Sequence, residues 1–222
     1  MRLLPRFMRF FFHHFYHSFA WTYDFVAAVV SIGRWDDWIQ TVIPYAQGPR
    51  ILEIGLGSGH LQRRLRDRGL WAVGLDESAQ MIRLAKRRLQ RMDHQAVSLV
   101  RGLAQALPFP EAAFDCVIST FPSEYIFDPN TLRGIYRVLP RGGRFVVLPV
   151  AQILGRQLLD RMAAWLFRVT GETPRNMLEV VGQRFIQPLE RAGFRVESSQ
   201  IEIRSSVALI LIARKERSTG LG

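Results

Sequence analysis

The sequence predicts an α/β fold, a doubly wound, mostly parallel seven-stranded sheet with an antiparallel hairpin at one edge. Three observations carry that expectation. Between residues 50 and 150, short apolar runs alternate with amphipathic helical stretches, as in a parallel sheet covered on both faces. A glycine-rich stretch, Gly55-Leu56-Gly57-Ser58-Gly59, joins the first of these runs to the first helix. Two β-rich runs, 194–203 and 206–213, end the chain around Arg204-Ser205, a hairpin pattern.

The elements follow in order. Residues 6–32 read as a helix whose polar stripe holds Arg6, Arg9, His13, His17 and Asp24. Its remaining surface is apolar, with Phe11, Phe15, Phe19 and Trp21, and needs cover from the domain, a substrate or a membrane surface. A second helix is expected over 35–46, closed by Gly48-Pro49. Ile51 to Ile54 form a buried strand, and residues 59–68 a basic helix ending at Gly69. Trp71 to Leu75 make the second strand, and Ser78 caps a helix with Met81, Ala85 and Leu89 on its apolar side. Strands follow at 96–100 and 114–119, then a helix at 130–139, stopped by Pro140, and a strand at 144–149. Helices are expected at 152–169 and 175–192 before the terminal hairpin.

Composition narrows the function classes. Of the 222 residues, 48% are hydrophobic and 22% charged, which fits a globular chain. The one cysteine, Cys116, permits no disulfide within a chain and fits a reducing cytosol. The net charge of +11 is almost all arginine, spread without a dense run, so composition bias explains it more simply than a nucleic-acid partner. The basic and aromatic N-terminus lacks the apolar run and cleavage site of a signal peptide, and its charges interrupt any membrane span. His13, His14 and His17 lack the glutamate of the zinc-protease pattern, and no metal is expected.

The glycine stretch lets backbone approach a ligand closely, and the helix after it offers N–H groups to a carboxylate or phosphate. His60 occupies the last position of the dinucleotide fingerprint, where glycine is required. Glu53 places negative charge beside the loop, which disfavours pyrophosphate and suits a ligand with positive charge. Asp76, at the end of the second strand, is placed to accept hydrogen bonds from both hydroxyls of a ribose. Together these describe an adenosine-containing ligand with little or no phosphate.

At this point the residues resemble a known family. Ile51 to Leu61 resembles motif I of the class I S-adenosyl-L-methionine-dependent methyltransferases, and Gly74-Leu75-Asp76-Glu77-Ser78-Ala79-Gln80-Met81 their second motif. Leu107-Pro108-Phe109-Pro110 with Phe114-Asp115-Cys116-Val117-Ile118, and Arg137 to Gly143, resemble the fourth-strand and fifth-strand regions. The nearest branch is that of the ubiquinone and menaquinone methyltransferases, and the likeness covers residues 50–150 in consistent order. It implies a Rossmann-like fold, S-adenosyl-L-methionine as cofactor, an N-terminal helical lid over 1–48, and a methyltransferase domain over 49–222 with a helical insertion about 151–175.

The resemblance also implies roles. Gly55, Gly57 and Gly59 would surround the methionine part of the cofactor, Glu53 would favour its amino group, and Asp76 with Glu77 would stand at the ribose. Met81 would pack near the adenine or serve as plain helix core. Leu103 stands where the family often has an adenine-reading aspartate, so backbone at Leu103 and Ala104 would take over that contact. Thr120 and Tyr23 complete the expected cofactor contacts, while Tyr16, Phe121 and Tyr125 are the expected acceptor contacts. Glu124 and Tyr125 are the catalytic candidates, and no clear general base is visible. The expected reaction is in-line methyl transfer to a small lipophilic acceptor, with peripheral contact to a membrane. An RNA methyltransferase and a non-catalytic cofactor-binding protein stay open as alternatives.

Overall fold

The computed structural model describes residues 34–90, 98–153 and 185–216. The chain divides at Trp35 into two units, and the account below is of the second, Asp36–Gly222. The expected helix at 6–32, the part of the helix at 152–169 after residue 153 and the first part of the helix at 175–192, up to residue 184, lie outside the described residues.

Seven strands form one sheet in the order β3-β2-β1-β4-β5-β7-β6. They are β1 Ile51–Ile54, β2 Ala72–Asp76, β3 Leu99–Arg101, β4 Cys116–Thr120, β5 Arg144–Ile153, β6 Phe194–Ile203 and β7 Ser206–Lys215. The first five run parallel, and β7 is antiparallel to both β5 and β6. This is the mixed sheet with an antiparallel edge pair that the sequence predicts. The described helices are α1 Trp35–Gln40, α2 His60–Arg66, α3 Ala79–Gln90 and α4 Pro129–Val138, with residues 185–191 also helical.

Alternation along the central strands divides the core between two faces. Leu52, Ile54, Leu75, Val117, Phe145 and Val147 pack with Leu132, Ile135 and Val138 of α4 and with Leu189. The other face carries Cys116, whose Sγ lies 3.9 Å from the Tyr45 carbonyl oxygen in the loop after α1. On that side Arg64 of α2 pairs with Asp36 of α1. β7 is buried from Ser206 to Ala213 because it lies between β5 and β6, whereas β6 alternates between covered and exposed residues as an edge strand does.

Several boundaries differ from expectation, two of them by more than a few residues. Helix α1 stops at Gln40 rather than reaching residue 46, because the Thr41 amide and hydroxyl both donate to the Trp38 carbonyl, at 3.0 and 2.6 Å. Pro44 has no N–H to continue the helix, and Ile43–Tyr45 turn as 3-10 helix instead. Strand β5 runs on to Ile153, so no helix begins at 152; Ala151, Gln152 and Ile153 pair with Ala208, Val207 and Ser206. The ladder shifts between Val147 and Val150, around Pro149, which cannot donate to it.

Candidate active site at the carboxyl ends of β1 to β4

Parallel strands end together, so β1 to β4 bring their following loops to one edge of the sheet, where ligands of open α/β sheets bind. The loop after β1 holds Gly55, Gly57 and Gly59 at φ 72°, 55° and 84°. At two of them the surroundings also demand glycine. A Cβ on Gly59 would stand 2.9 Å from the Ala85 Cβ of α3. A Cβ on Gly55 would stand 2.1 Å from the Tyr125 hydroxyl oxygen.

The loop amides turn inward. Gly55 and Leu56 N–H donate to the Leu75 carbonyl at 2.8 and 3.3 Å, and Gly59 N–H donates to the Leu56 carbonyl at 3.0 Å. Gly57 N–H donates to Oδ2 of Asp76 at 3.0 Å. The amide donors of these four residues are thus committed within the protein. Arg88 of α3 fixes the loop from behind, donating from one nitrogen to the Ser58 carbonyl at 2.6 Å and to its hydroxyl at 2.8 Å.

Two acidic side chains, Glu53 and Asp76, stand at the loop. Glu53 is buried within β1, and burial pushes its carboxyl up to about 8, with Gln62 opposing the rise and the charge of Asp76 adding to it. Gln62 sits beside Glu53, yet Oε2 of Glu53 has no hydrogen-bond partner. An orphaned buried oxygen of this kind favours a ligand that brings a positive charge or a donor. Asp76 ends β2, and its Oδ1 accepts the Ser78 amide at 2.9 Å. Burial raises its pKa, against the lowering effect of the Ser78 and Gly57 amides. Asp76 thus clamps the glycine loop to the end of β2.

The other expected residues lie as follows. Glu77 is exposed, and its carbonyl accepts the Arg101 side chain at 3.1 Å. Gly102 N–H donates to the Asp76 carbonyl at 3.1 Å, which sets Leu103, 52% exposed, and buried Ala104 beside the end of β2. Met81 is buried on α3 with Ala85 and Leu89, and its amide meets the Ser78 hydroxyl at 3.3 Å. Half-buried Thr120 ends β4, and Phe121 follows at φ 47°, its amide donating to the Leu148 carbonyl at 2.7 Å. A phenylalanine in the left-handed region is uncommon and marks strain held by its surroundings. Tyr125 is brought onto the loop, while its neighbour Glu124 is exposed. Tyr16 and Tyr23 lie outside the described residues.

Sequence reading missed three contributors. Gln62 could have been suspected as a polar residue between Leu61 and Leu65 at core spacing. Arg88 gave no signal among so many arginines. Trp38, 6% exposed and 6.0 Å from the Phe121 ring, read only as helix core. Among the described residues, no cluster of histidine, cysteine, aspartate and glutamate fits a metal ion, and no helix is long and apolar enough to cross a membrane.

Comparison with known proteins agrees with this geometry. The chain is 30% identical to the ubiquinone/menaquinone biosynthesis C-methyltransferase UbiE of Pectobacterium carotovorum over 69% of its own length. It is 31% identical to the demethylmenaquinone methyltransferase of Symbiobacterium thermophilum over 64%. These matches span 64% and 59% of the relatives' lengths. A solved structure from Methanococcus maripaludis, assigned to the S-adenosyl-L-methionine-dependent methyltransferases, superposes with a TM-score of 0.64. It covers 90% of this chain and 94% of that one at 18% identity, a likeness of fold. The pattern of one family runs through residues 8–183, across the glycine loop, Asp76 and the segment after β4. By that match the chain belongs to the ubiE/COQ5 methyltransferase family.

Proposed function

We propose that this chain transfers the methyl group of S-adenosyl-L-methionine to a small lipophilic acceptor of the quinone-precursor class named for its relatives. The observation that carries the reading is the pairing of buried, part-orphaned Glu53 with a glycine loop whose amides are already committed. A pyrophosphate would meet carboxylates and no free loop donor at these positions. A cationic adenosine ligand meets acceptors. When bound, such a cofactor supplies an electrophilic methyl group on a sulfonium: the S–CH₃ bond breaks as the acceptor's bond to carbon forms, leaving a neutral thioether.

The protein's own work is then placement. Asp76 would hold the nucleoside end of the cofactor and Glu53 its cationic end. Holding two reactants in line accounts for about 7–11 kcal/mol of barrier. An acceptor methylated at carbon also gives up a proton, which passes to a base or to water. Phe121, packed against Trp38, and Tyr125, beside Gly55, are the aromatic side chains that on this reading meet a lipophilic acceptor. Peripheral membrane contact belongs to the same reading. Its support is the sequence of the N-terminal segment, where Arg2, Arg6 and Arg9 accompany aromatic residues.

The test is methyl transfer from tritiated S-adenosyl-L-methionine to reduced demethylmenaquinone in detergent. Label in the organic extract, lost in Asp76→Ala, is the expected result. Cofactor binding without label in the quinone would remove the acceptor class. Absence of cofactor binding would remove the whole reading.

A further inference from the structure

The chain carries 30 lysines and arginines against 19 acids, and along the sequence the excess forms no dense run. The fold gathers part of it. Strands β1, β2 and β3 are successive neighbours, so the right-handed crossovers through α2 and α3 lie on one face of the sheet. The two helices pack together. A Cβ on Gly59, just before α2, would stand 2.9 Å from the Ala85 Cβ of α3, and Arg88 of α3 reaches the Ser58 carbonyl at 2.6 Å. Helix α2 holds Arg63, Arg64 and Arg66, helix α3 holds Arg83, Lys86, Arg87 and Arg88, and neither holds an acid.

Three of these cations are engaged within the protein. Arg64 pairs with Asp36 and Asp67, Arg88 holds Ser58, and Arg66 lies over the Trp71 ring, 4.9 Å from its centroid. The other four are exposed. Met81, Ala85 and Leu89 are the buried side of α3, and Arg83, Lys86 and Arg87 share the side away from them. Arg63 is likewise opposite buried Leu61 and Leu65 on α2. Among the described residues, no acid pairs with any of the four. Like charges three and four residues apart on a helix repel, as Arg83 does with Lys86 and Arg87, and a negatively charged surface relieves that repulsion. Trp71, 47% exposed beneath Arg66, adds an indole at the end of α2.

We propose that the outer face of α2 and α3 docks on an anionic phospholipid surface, with Trp71 at the level of the headgroups. Charge complementarity sets the sign of the partner. Trp71 sets its kind, because an indole half out of water suits the boundary between headgroups and acyl chains. Both helices begin at the carboxyl edge of the sheet, so the face borders the loop after β1 and the end of β2. The purpose of such docking rests on the reading above: a lipid-soluble acceptor is met where it dissolves. The surface itself is distinct from the N-terminal segment, whose sequence alone supports membrane contact there.

The experiment is co-sedimentation of the full chain with vesicles of mixed phosphatidylglycerol and phosphatidylcholine, at about 0.15 M salt so that distant charges are screened. One variant joins Arg83→Gln, Lys86→Gln and Arg87→Gln. A second joins Arg133→Gln, Arg141→Gln and Arg195→Gln, exposed positions off these two helices, and loses the same net charge. The wild-type chain is expected to bind the mixed vesicles and not phosphatidylcholine alone. The α3 variant is expected to lose about tenfold or more in partition coefficient, and the second variant to stay within about threefold. Equal losses in the two variants, or none in the α3 variant, overturn the face. So does a wild-type chain that ignores the mixed vesicles, or one that polyuridylate strips from them by binding more tightly, which would make the face a nucleic-acid surface. Thermal melting of the α3 variant at the wild-type temperature excludes a folding defect. The assay contains neither cofactor nor acceptor, so its failure leaves the methyl-transfer reading standing.

Discussion

Single residues carry most of the chemistry in this site, and two carboxylates carry most of that. Asp76 accepts the Gly57 and Ser78 amides, so removing it loosens the loop and, on the proposed reading, deletes the ribose acceptor as well. Asp76→Ala should weaken S-adenosylhomocysteine by more than tenfold in calorimetry; equal affinity would place the ribose elsewhere. Glu53 makes a prediction about pH. Its carboxyl is pushed up to about 8 by burial, against an ordinary value of 4.5, so the folded chain holds a proton that the unfolded chain releases. That contribution to stability is complete below about pH 4.5 and is lost as pH rises toward 8. Glu53→Gln should flatten the wild-type decline in urea midpoint over this window, a difference of order a few kcal/mol at its upper end. Parallel curves for the two proteins would mean that Glu53 is not held protonated. The glycines, Glu53 and Asp76 were legible in the sequence because their spacing along a strand-loop-helix unit constrains them locally. Gln62, Arg88 and the seat of Tyr125 on Gly55 were not, since each depends on a partner brought near only by folding.

At the scale of elements, the parallel half of the sheet was readable and its connections less so. Apolar runs such as Ile51 to Ile54 and Cys116 to Ile118 have one reading, a buried strand. The stretch after Gln40 has two, because β-branched Val42 and Ile43 sit at helical spacing, and Pro44 decides between them through its missing N–H. The far end of β5 was misread for the opposite reason. Its pairing with β7 resumes at Val150, after a shift that local sequence does not announce. Helix α4, which packs beneath the Tyr125 turn, begins with a readable signal, Asp128 before Pro129. The Asp128 side chain accepts the Asn130 amide at 2.7 Å. Asp128→Ala should cost about 1 kcal/mol of unfolding free energy in urea, the usual value of such a cap. Cofactor affinity should stay within twofold, because the cap holds the helix and touches no ligand; a large loss of affinity would show that the turn is tuned from this end.

For the molecule as a whole, the sheet order explains why the site works as one unit. β1 is flanked by β2 and β4, so one loop is reached from one side by Asp76 and from the other by Tyr125. Arginine excess did not decide the function, and the committed loop amides argue against phosphate at the place where a nucleotide enzyme would need it most. Family membership and site geometry converge on a cofactor that is cationic at one end and a nucleoside at the other. Calorimetric titration of the full chain at neutral pH with S-adenosyl-L-methionine, repeated in the presence of excess NAD, tests this most directly. The account predicts saturable binding at one site per chain that NAD does not displace. Tighter binding of NAD, or displacement by it, would contradict the account at its centre.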